Sequence, residues 1–493
     1  MTKKIALLLT FIMVITCCIT VLAACNPDGG RDIPGWEDGK TNIVYYTWGS
    51  ENEIKMLQQV IDAFEAENSD IHVIISNAGN DYYGDLDLQL SGRNSPDIVN
   101  MKPGNIGSYL ESGAIISLQD YIDNSSVITD DMIWEFNDRY KYNPETEIAG
   151  ESTSDIYSLI KDFSCDFVMN YNKNLVTSDM KTSPVYTYPK DEQGFPSMET
   201  PMTWSQYMQF ATAMHTGSTY GAALDNEPYQ QLLEWIQQGG GSLWSADHKS
   251  VVDIKNTPAV RQAFEYYRML RDQAIDSPAF ETNSCELSDV ITSKMLTATN
   301  SPQVGPGQLK QLQAATIFYG RWAYTAYEMD TDKCDTGFAP PPVPNNLTVT
   351  DDTKYAGITA MVGLSISKKS ANPDAAWKFI EYYFTEGQKM LAELGFNIPG
   401  NKQIASNEFL NGENLTDKQK EVNKLFYDLA LEHGFVIEFN KYLSQSSVEE
   451  VLASNLTSYF AKSVKGKFNM ADWEACLDNI TEGLQAKLDR VTR

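Results

Sequence analysis

Positive charge is scarce in this chain: 38 Lys and Arg stand against 66 Asp and Glu, a formal net charge of −28. Nucleic acid is thereby excluded as a partner, because phosphate binding needs clustered Lys and Arg. The acidity reads as a solubilising surface. Histidine is rarer still, and His72, His215, His248 and His433 each lack a second His or Cys at ligand spacing. No metal centre and no histidine-based catalytic site is expected. Of seven cysteines, Cys17, Cys18 and Cys25 fall at the N-terminus; Cys165, Cys285, Cys334 and Cys476 lie far apart with no CxxC. Zinc-ribbon and thioredoxin readings fail on that spacing. The turn after the first strand, Trp48-Gly49-Ser50-Glu51, lacks the glycine triplet that lets a pyrophosphate approach backbone, which excludes a Rossmann nucleotide site. Gly239-Gly240-Gly241 has no lysine in Walker spacing, and reads as a helix stop. No cofactor is expected.

Long apolar runs are also few. One opens the chain behind Lys3 and Lys4 and closes at Leu22-Ala23-Ala24-Cys25, with small residues where a signal peptidase needs them. It resembles the lipobox of bacterial lipoproteins, which implies that residues 1–24 are a signal peptide and that Cys25 carries lipid on the outer face of the cell membrane. The competing reading is an uncleaved anchor, since about 20 apolar residues can span a bilayer. Asn26-Pro27-Asp28-Gly29-Gly30 is polar and turn-rich, so residues 25–41 read as a flexible tether. The rest, about 470 residues, is long enough for two or three domains.

Residues 42–48 form a β-branched and aromatic run that reads as a buried strand. Ser50 and Glu53 make a capping-box pair, and Ile54, Leu57, Ile61 and Phe64 follow at helical spacing. Residues 71–75 are the next strand, so the opening unit is strand, helix, strand, which requires a parallel sheet with a crossover. A second helix over 82–91 leads through a turn into a third strand at 97–99. Residues 129–155 read as an irregular surface excursion, and 156–160 and 167–171 as paired strands. Thr203 with Gln206 is a second capping box, and further helices are expected over 229–237 and 258–273.

The order of motifs resembles the extracellular solute-binding proteins of sugar ABC transporters, over about residues 42–400. The pieces are Trp48, Phe64-Glu65, Ser95-Pro96-Asp97-Ile98, Gly113-Ala114-Ile115, Tyr171-Asn172-Lys173, Gly320-Arg321-Trp322, Gly363-Leu364-Ser365 and Ala375-Ala376-Trp377. The resemblance implies an α/β, two-lobed periplasmic-binding-protein-like fold, each lobe a β-sheet flanked by helices, with ligand held between the lobes. It places the N-terminal lobe at 42–160 plus 360–412 and the C-terminal lobe at 163–357 plus 413–493, with hinges near 160–164, near 357–359 and past Asn411. Hinges of that kind let rigid lobes open and close.

Sugars present apolar ring faces and a belt of hydroxyls, so their sites need flat aromatic platforms beside polar side chains. Glu227-Pro228-Tyr229 is similar to the segment by which maltose-binding protein grips its sugar, and Trp322 matches the family's stacking tryptophan. Trp48 and Asn100 close strands at the sheet edge where open α/β folds place ligands. Tyr83 could reach the same cleft, Asp162 and Ser164 lie at the first hinge, and Thr359 and Met361 lie by the second. Lys102 reads as solvated, and Trp134, Trp204 and Trp377 as core.

The resemblance implies a monomer that captures a carbohydrate, of oligosaccharide size, and delivers it to ABC permease subunits. A lipid-anchored glycoside hydrolase is the enzymatic alternative, needing two carboxyls about 5–10 Å apart, which 66 acidic residues can always supply. Presentation of ligand to a sensor kinase is the third reading, and a peptide or other polar solute the competing ligand class.

Overall fold

The computed structural model describes residues 33–78, 82–145, 148–150, 153–214, 221–222, 224–225, 228–276, 286–287, 314–326, 335–462 and 468–492. Cys25, the signal segment, the first half of the tether, Glu227, His215, Cys285 and Cys334 lie outside the described residues. Residues 37–40, expected in the tether, are fastened to the fold instead. Asn42 accepts from Glu37 N–H and donates to the carbonyls of Glu37 and Lys40 at 2.8–2.9 Å.

Strand β1 (Thr41–Thr47) is apolar on both faces and almost wholly buried, as a central strand covered by helices must be. Helix α1 (Glu51–Glu67) begins with both halves of the expected capping box: Ser50 Oγ accepts from Glu53 N–H at 3.3 Å, and the Glu53 carboxylate from Ser50 N–H at 2.7 Å. Its buried stripe of Met56, Leu57, Val60, Ile61 and Phe64 covers one face of the sheet. The crossover returns the chain to β2 (Ile71–Asn77), parallel to β1. Helix α2 (Tyr82–Ser91) and β3 (Ile98–Met101), parallel to β1 on its other side, follow.

Residues 129–155 differ from their reading as a surface excursion. They hold two 3-10 turns and a three-stranded ribbon, because Trp134, Tyr140 and Tyr142 carry too much apolar surface to remain in water and are buried. The next two strands, β4 (Leu159–Phe163) and β5 (Val168–Asn172), were expected to pair with each other. They belong to different sheets, and the short link between them is the first crossover between lobes.

In the second lobe, β5 is the centre of a three-stranded antiparallel sheet. Around it pack α3 (Trp204–Ala213), opened by the expected Thr203 and Gln206 capping box, α4 (Tyr229–Gln238) and α5 (Pro258–Asp276). Strand β6 (Thr316–Tyr319), helix α6 (Arg321–Ala326) and strand β7 (Thr336–Ala339) follow, β6 and β7 flanking β5. Trp204 stacks on Tyr266 with centroids 4.4 Å apart, in the core as its sequence context indicates.

Strand β8 (Ala356–Ile358) leads back to the first lobe, where β9 (Val362–Ile366) inserts antiparallel between β3 and β4. Helix α7 (Pro373–Tyr382) and β10 (Ile398–Pro399) complete a six-stranded sheet of order β10-β4-β9-β3-β1-β2. Helix α8 (Asp417–Glu432), strand β11 (Gly434–Val436), and helices α9 (Gln445–Lys462) and α10 (Met470–Val491) end the chain. The two crossovers run side by side: Ser164 N–H donates to Ala360 O at 3.0 Å, Thr359 N–H donates to Ser164 O at 3.2 Å, and Cys165 bridges Ile358. An apolar cluster containing Phe163, Cys165, Tyr355, Ile358, Met361 and Phe426 lies beneath them, so the lobes share a core at their joint.

Candidate ligand cleft

A cleft of about 890 Å³ opens between the lobes. Its first wall is built where β1 and β3 end and α1 and α2 begin, so four chain segments deliver side chains to one sheet edge. Trp48 leaves β1 and meets Tyr82 edge-on, with ring centroids 4.5 Å apart and planes at 77°. Tyr83 stands 5.0 Å from Tyr82 at 85°, and its hydroxyl accepts from Lys102 N–H at 2.8 Å. Burial pushes the Tyr83 hydroxyl well above its ordinary range, so it stays neutral. Lys102, read as solvated, lines the wall and places Nζ 5.5 Å from the Trp48 ring centroid, a cation–π distance.

The floor carries charge. At the end of β4, Lys161 Nζ lies 2.9 Å from Asp162 Oδ2, and Asn397 Nδ2 donates to Asp162 Oδ1 at 2.9 Å. Burial disfavours the Lys161 ammonium, but Asp162 and the Tyr383 and Tyr45 hydroxyls favour it more, holding its pKa well above the usual value. Beyond the crossover, Asp166 accepts from Trp322 Nε1 at 2.9 Å. Burial raises the Asp166 carboxyl to about 6, opposed by the Trp322 hydrogen bond and by Lys102. Burial likewise raises Glu53, whose side chain lines the first wall.

The second wall is Trp322, at the start of α6, with Gln445, Ser446, Glu449, Glu450 and Ala453 of α9. Trp322 packs 5.3 Å from Tyr319. Arg321 behind it is fully buried, its N–H donating to Ser164 Oγ at 2.9 Å and its Nε to Asn423 Oδ1 at 2.6 Å. That anchorage ties the tryptophan-bearing turn to the crossover.

Of the residues expected at the site, Trp48, Tyr83, Asp162 and Trp322 lie on the cleft, and Glu227 is outside the described residues. The other five are buried behind it. Asn100 accepts from Tyr45 Oη at 2.7 Å and donates to Thr47 Oγ1 at 2.8 Å, so its amide is satisfied inside the first lobe. Tyr229 sits in the second-lobe core against Trp244 and Phe439, its N–H donating to Glu449 Oε2 at 2.9 Å. Ser164 holds Arg321, Thr359 Oγ1 accepts from Asp166 N–H at 3.2 Å, and the Met361 carbonyl accepts from Tyr140 Oη at 3.1 Å. Cleft residues that the sequence reading missed include Glu53, Lys102, Lys161, Asp166, Phe396, Asn397 and the α9 set. Gln445, Ser446, Glu449, Glu450 and Ala453 recur at three- and four-residue intervals, a helical face that was the available signal.

Two α/β lobes, adjoining crossovers and a cleft with a tryptophan on each side define a two-lobed binding protein. Residues 59–417 match the family described as bacterial extracellular solute-binding protein, and the chain belongs to that family. It is 28% identical over 89 residues to the melibiose/raffinose/stachyose-binding protein MelE of Bacillus subtilis (strain 168), a match covering 18% of this chain and 20% of that relative's length. An ABC substrate-binding protein of Listeria monocytogenes, solved with cycloalternan, superposes with a TM-score of 0.64 at 17% identity, covering 92% of this chain and 98% of the other. Maltose-bound MalE3 of T. maritima gives 0.65 at 14% identity, covering 90% and 99%. At these identities the likeness to the two structures is one of fold. The family and these neighbours are substrate-binding proteins and not enzymes.

Proposed function

We propose that this chain captures an oligosaccharide between its lobes, outside the cell, and delivers it to the permease subunits of an ABC transporter. It works as a monomer held to the membrane by lipid on Cys25, its lobes comprising residues 42–163 plus 360–412 and 164–357 plus 413–493, the first extended past the expected 160 because β4 runs on to Phe163 and pairs there with β10. The observation that carries the reading is that Trp48 of the first lobe and Trp322 of the second line one cleft, among the carboxylates Glu53, Asp162 and Glu449. Indole faces cover the apolar faces of sugar rings, and carboxylates accept from hydroxyls. A volume of about 890 Å³ falls at the upper end of the range for small-molecule sites, which favours several sugar rings over one. The sugars named for the Bacillus relative and for the Listeria and T. maritima neighbours support the ligand class. Trp48, Tyr83, Asp162 and Trp322 are the proposed contacts, with Glu227 joining them from the second lobe. Ligand that touches both walls favours the closed lobes, because only then are all contacts made.

A thermal-shift screen of residues 26–493 against melibiose, raffinose, stachyose, maltose and cycloalternan tests the ligand class. Binding to the folded state raises the unfolding temperature by mass action, so at least one sugar shifts it in a concentration-dependent way. A flat response to all five at millimolar concentration, beside a shift with a peptide library, would reassign the ligand.

A further inference from the structure

The contact between Asp166 and Trp322 joins the crossover to the second wall, and the backbone around it is shaped for that contact. Asp166 follows Cys165, which bridges Ile358 of the other crossover, and its own N–H is held by Thr359 Oγ1 at 3.2 Å. From that fixed base its Oδ1 accepts from Trp322 Nε1 at 2.9 Å. Gly320 supplies the space. A Cβ there would lie 2.1 Å from Asp166 Oδ1 and 2.7 Å from both Cδ1 and Nε1 of Trp322, closer than any real side chain comes. Both obstructing groups are side-chain atoms, so a methyl group at 320 would part them while leaving the backbone in place. Trp322 itself is only partly buried and lines the cleft, packing on Tyr319 and on the apolar clusters beneath the crossovers and in the first lobe, and the hydrogen bond to Asp166 adds a directional restraint that such packing lacks.

We propose that Asp166 is a positioning residue for ligand capture, fixing the plane of the Trp322 indole so that its face is presented to a sugar ring before the sugar arrives. Gly320 is part of the same device, since its missing side chain is what lets carboxylate and indole meet. This rests on the carbohydrate reading above, and adds to it the group that sets the stacking surface. Pre-orienting a platform raises affinity because less rotamer freedom remains to be lost on binding. Asp166 is also the point where both lobes meet one carboxylate, with Lys102 and Asp162 facing it from the first lobe, Trp322 from the second, and Glu234 and Cys165 near the crossover. Its protonation weakens the acceptor that holds the ring, so the device works best with the carboxylate ionised.

The test combines a readout without ligand and one with it. With 5-fluorotryptophan incorporated, the Trp322 resonance, assigned by Trp322→Phe, is a single sharp line in the parent protein. Asp166→Ala and Gly320→Ala each shift or broaden it, while Asp166→Asn, whose amide oxygen can still accept from the indole, keeps it sharp. In calorimetric titrations with raffinose and stachyose, Asp166→Ala and Gly320→Ala each weaken binding roughly tenfold, the scale of one hydrogen bond to a charged group. The double variant loses little more than either single one, because both break the same contact. Asp166→Asn stays within about threefold and loses the part of the affinity's pH dependence centred near 6. An unchanged Trp322 resonance in Asp166→Ala, or an Asp166→Asn loss as large as that of Asp166→Ala, overturns the proposal. A parent protein that binds neither sugar defeats the carbohydrate reading and the capture role with it, while the resonance alone still decides whether Asp166 holds the ring.

Discussion

Removing the Lys161 ammonium exposes how the cleft floor is stabilised. Its Nζ lies 2.9 Å from Asp162 Oδ2, with only 13% and 8% of the two side chains accessible. At an effective dielectric of about 20, Coulomb's law gives an attraction of about 6 kcal/mol at that distance, and desolvation of two charges offsets much of it. The intact pair therefore contributes little net stability. Lys161→Met leaves Asp162 buried with Asn397 as its remaining neutral donor, at a cost of about 3–5 kcal/mol. For a folding unit of roughly 150–250 residues, each kcal/mol moves the midpoint by about 2–4 °C, so differential scanning calorimetry of residues 26–493 should show a loss of about 6–20 °C. Lys161→Met with Asp162→Leu removes both charges and should recover most of that loss. The sign of the pH dependence follows from the raised Lys161 pKa: its contribution is complete below the unfolded value near 10.4 and is lost only as pH rises through the higher folded value. The defect should thus be constant between about pH 6 and 9 on the lysine side. A Lys161→Met midpoint within about 2 °C of the parent, or a double variant as damaged as the single, would refute this reasoning.

Glu234 is fully buried beside Gly357, and burial raises its pKa well above the ordinary value, with the Gly357 N–H opposing. The unfolded chain therefore releases this proton first as pH rises past about 4.3, and stability falls with pH until the folded group ionises. Glu234→Gln should remove that slope, about 1.4 kcal/mol per pH unit for one proton, in denaturant unfolding measured between pH 5 and 8; equal slopes would contradict it. Gly400 has no space for a methyl group, since a Cβ would sit 1.7 Å from the Ile160 carbonyl oxygen. Gly400→Ala must move backbone in β4, and is expected to cost about 3 kcal/mol or more in equilibrium unfolding, whereas Gly39→Ala, with nothing within 4 Å, is limited to the strain of its positive φ.

Individual elements of both lobes were legible because their signals are local. The capping boxes at Ser50 and Thr203, the buried run of β1 and the turn into β3 are each written within a few residues, and each forms as read. Pairing between distant strands was not legible. Strands β4 and β5 adjoin in sequence and look like a hairpin, yet β4 has β9 as its neighbour and β5 has β6 and β7, choices made by lobe packing. In the cleft, aromatic residues at strand ends were readable, as Trp48 and Trp322 show. Residues whose polar groups are satisfied by tertiary partners were not: Asn100 and Ser164 look available in sequence, but their side chains bond Tyr45 and Thr47, and Arg321. Helix α9 contributes five cleft residues from beyond the stretch that resembles the family, and only the closed-up lobes show which face it presents.

The central claim is that one ligand is gripped by an aromatic residue from each lobe. The most direct measurement is a calorimetric titration, with the sugar giving the largest thermal shift, of the parent protein, Trp48→Ala and Trp322→Ala. Hot-spot aromatic residues cost about 2 kcal/mol or more on truncation, so each variant should bind roughly 30-fold more weakly while still unfolding cooperatively above the titration temperature. Saturable binding that survives both substitutions unchanged would contradict the account.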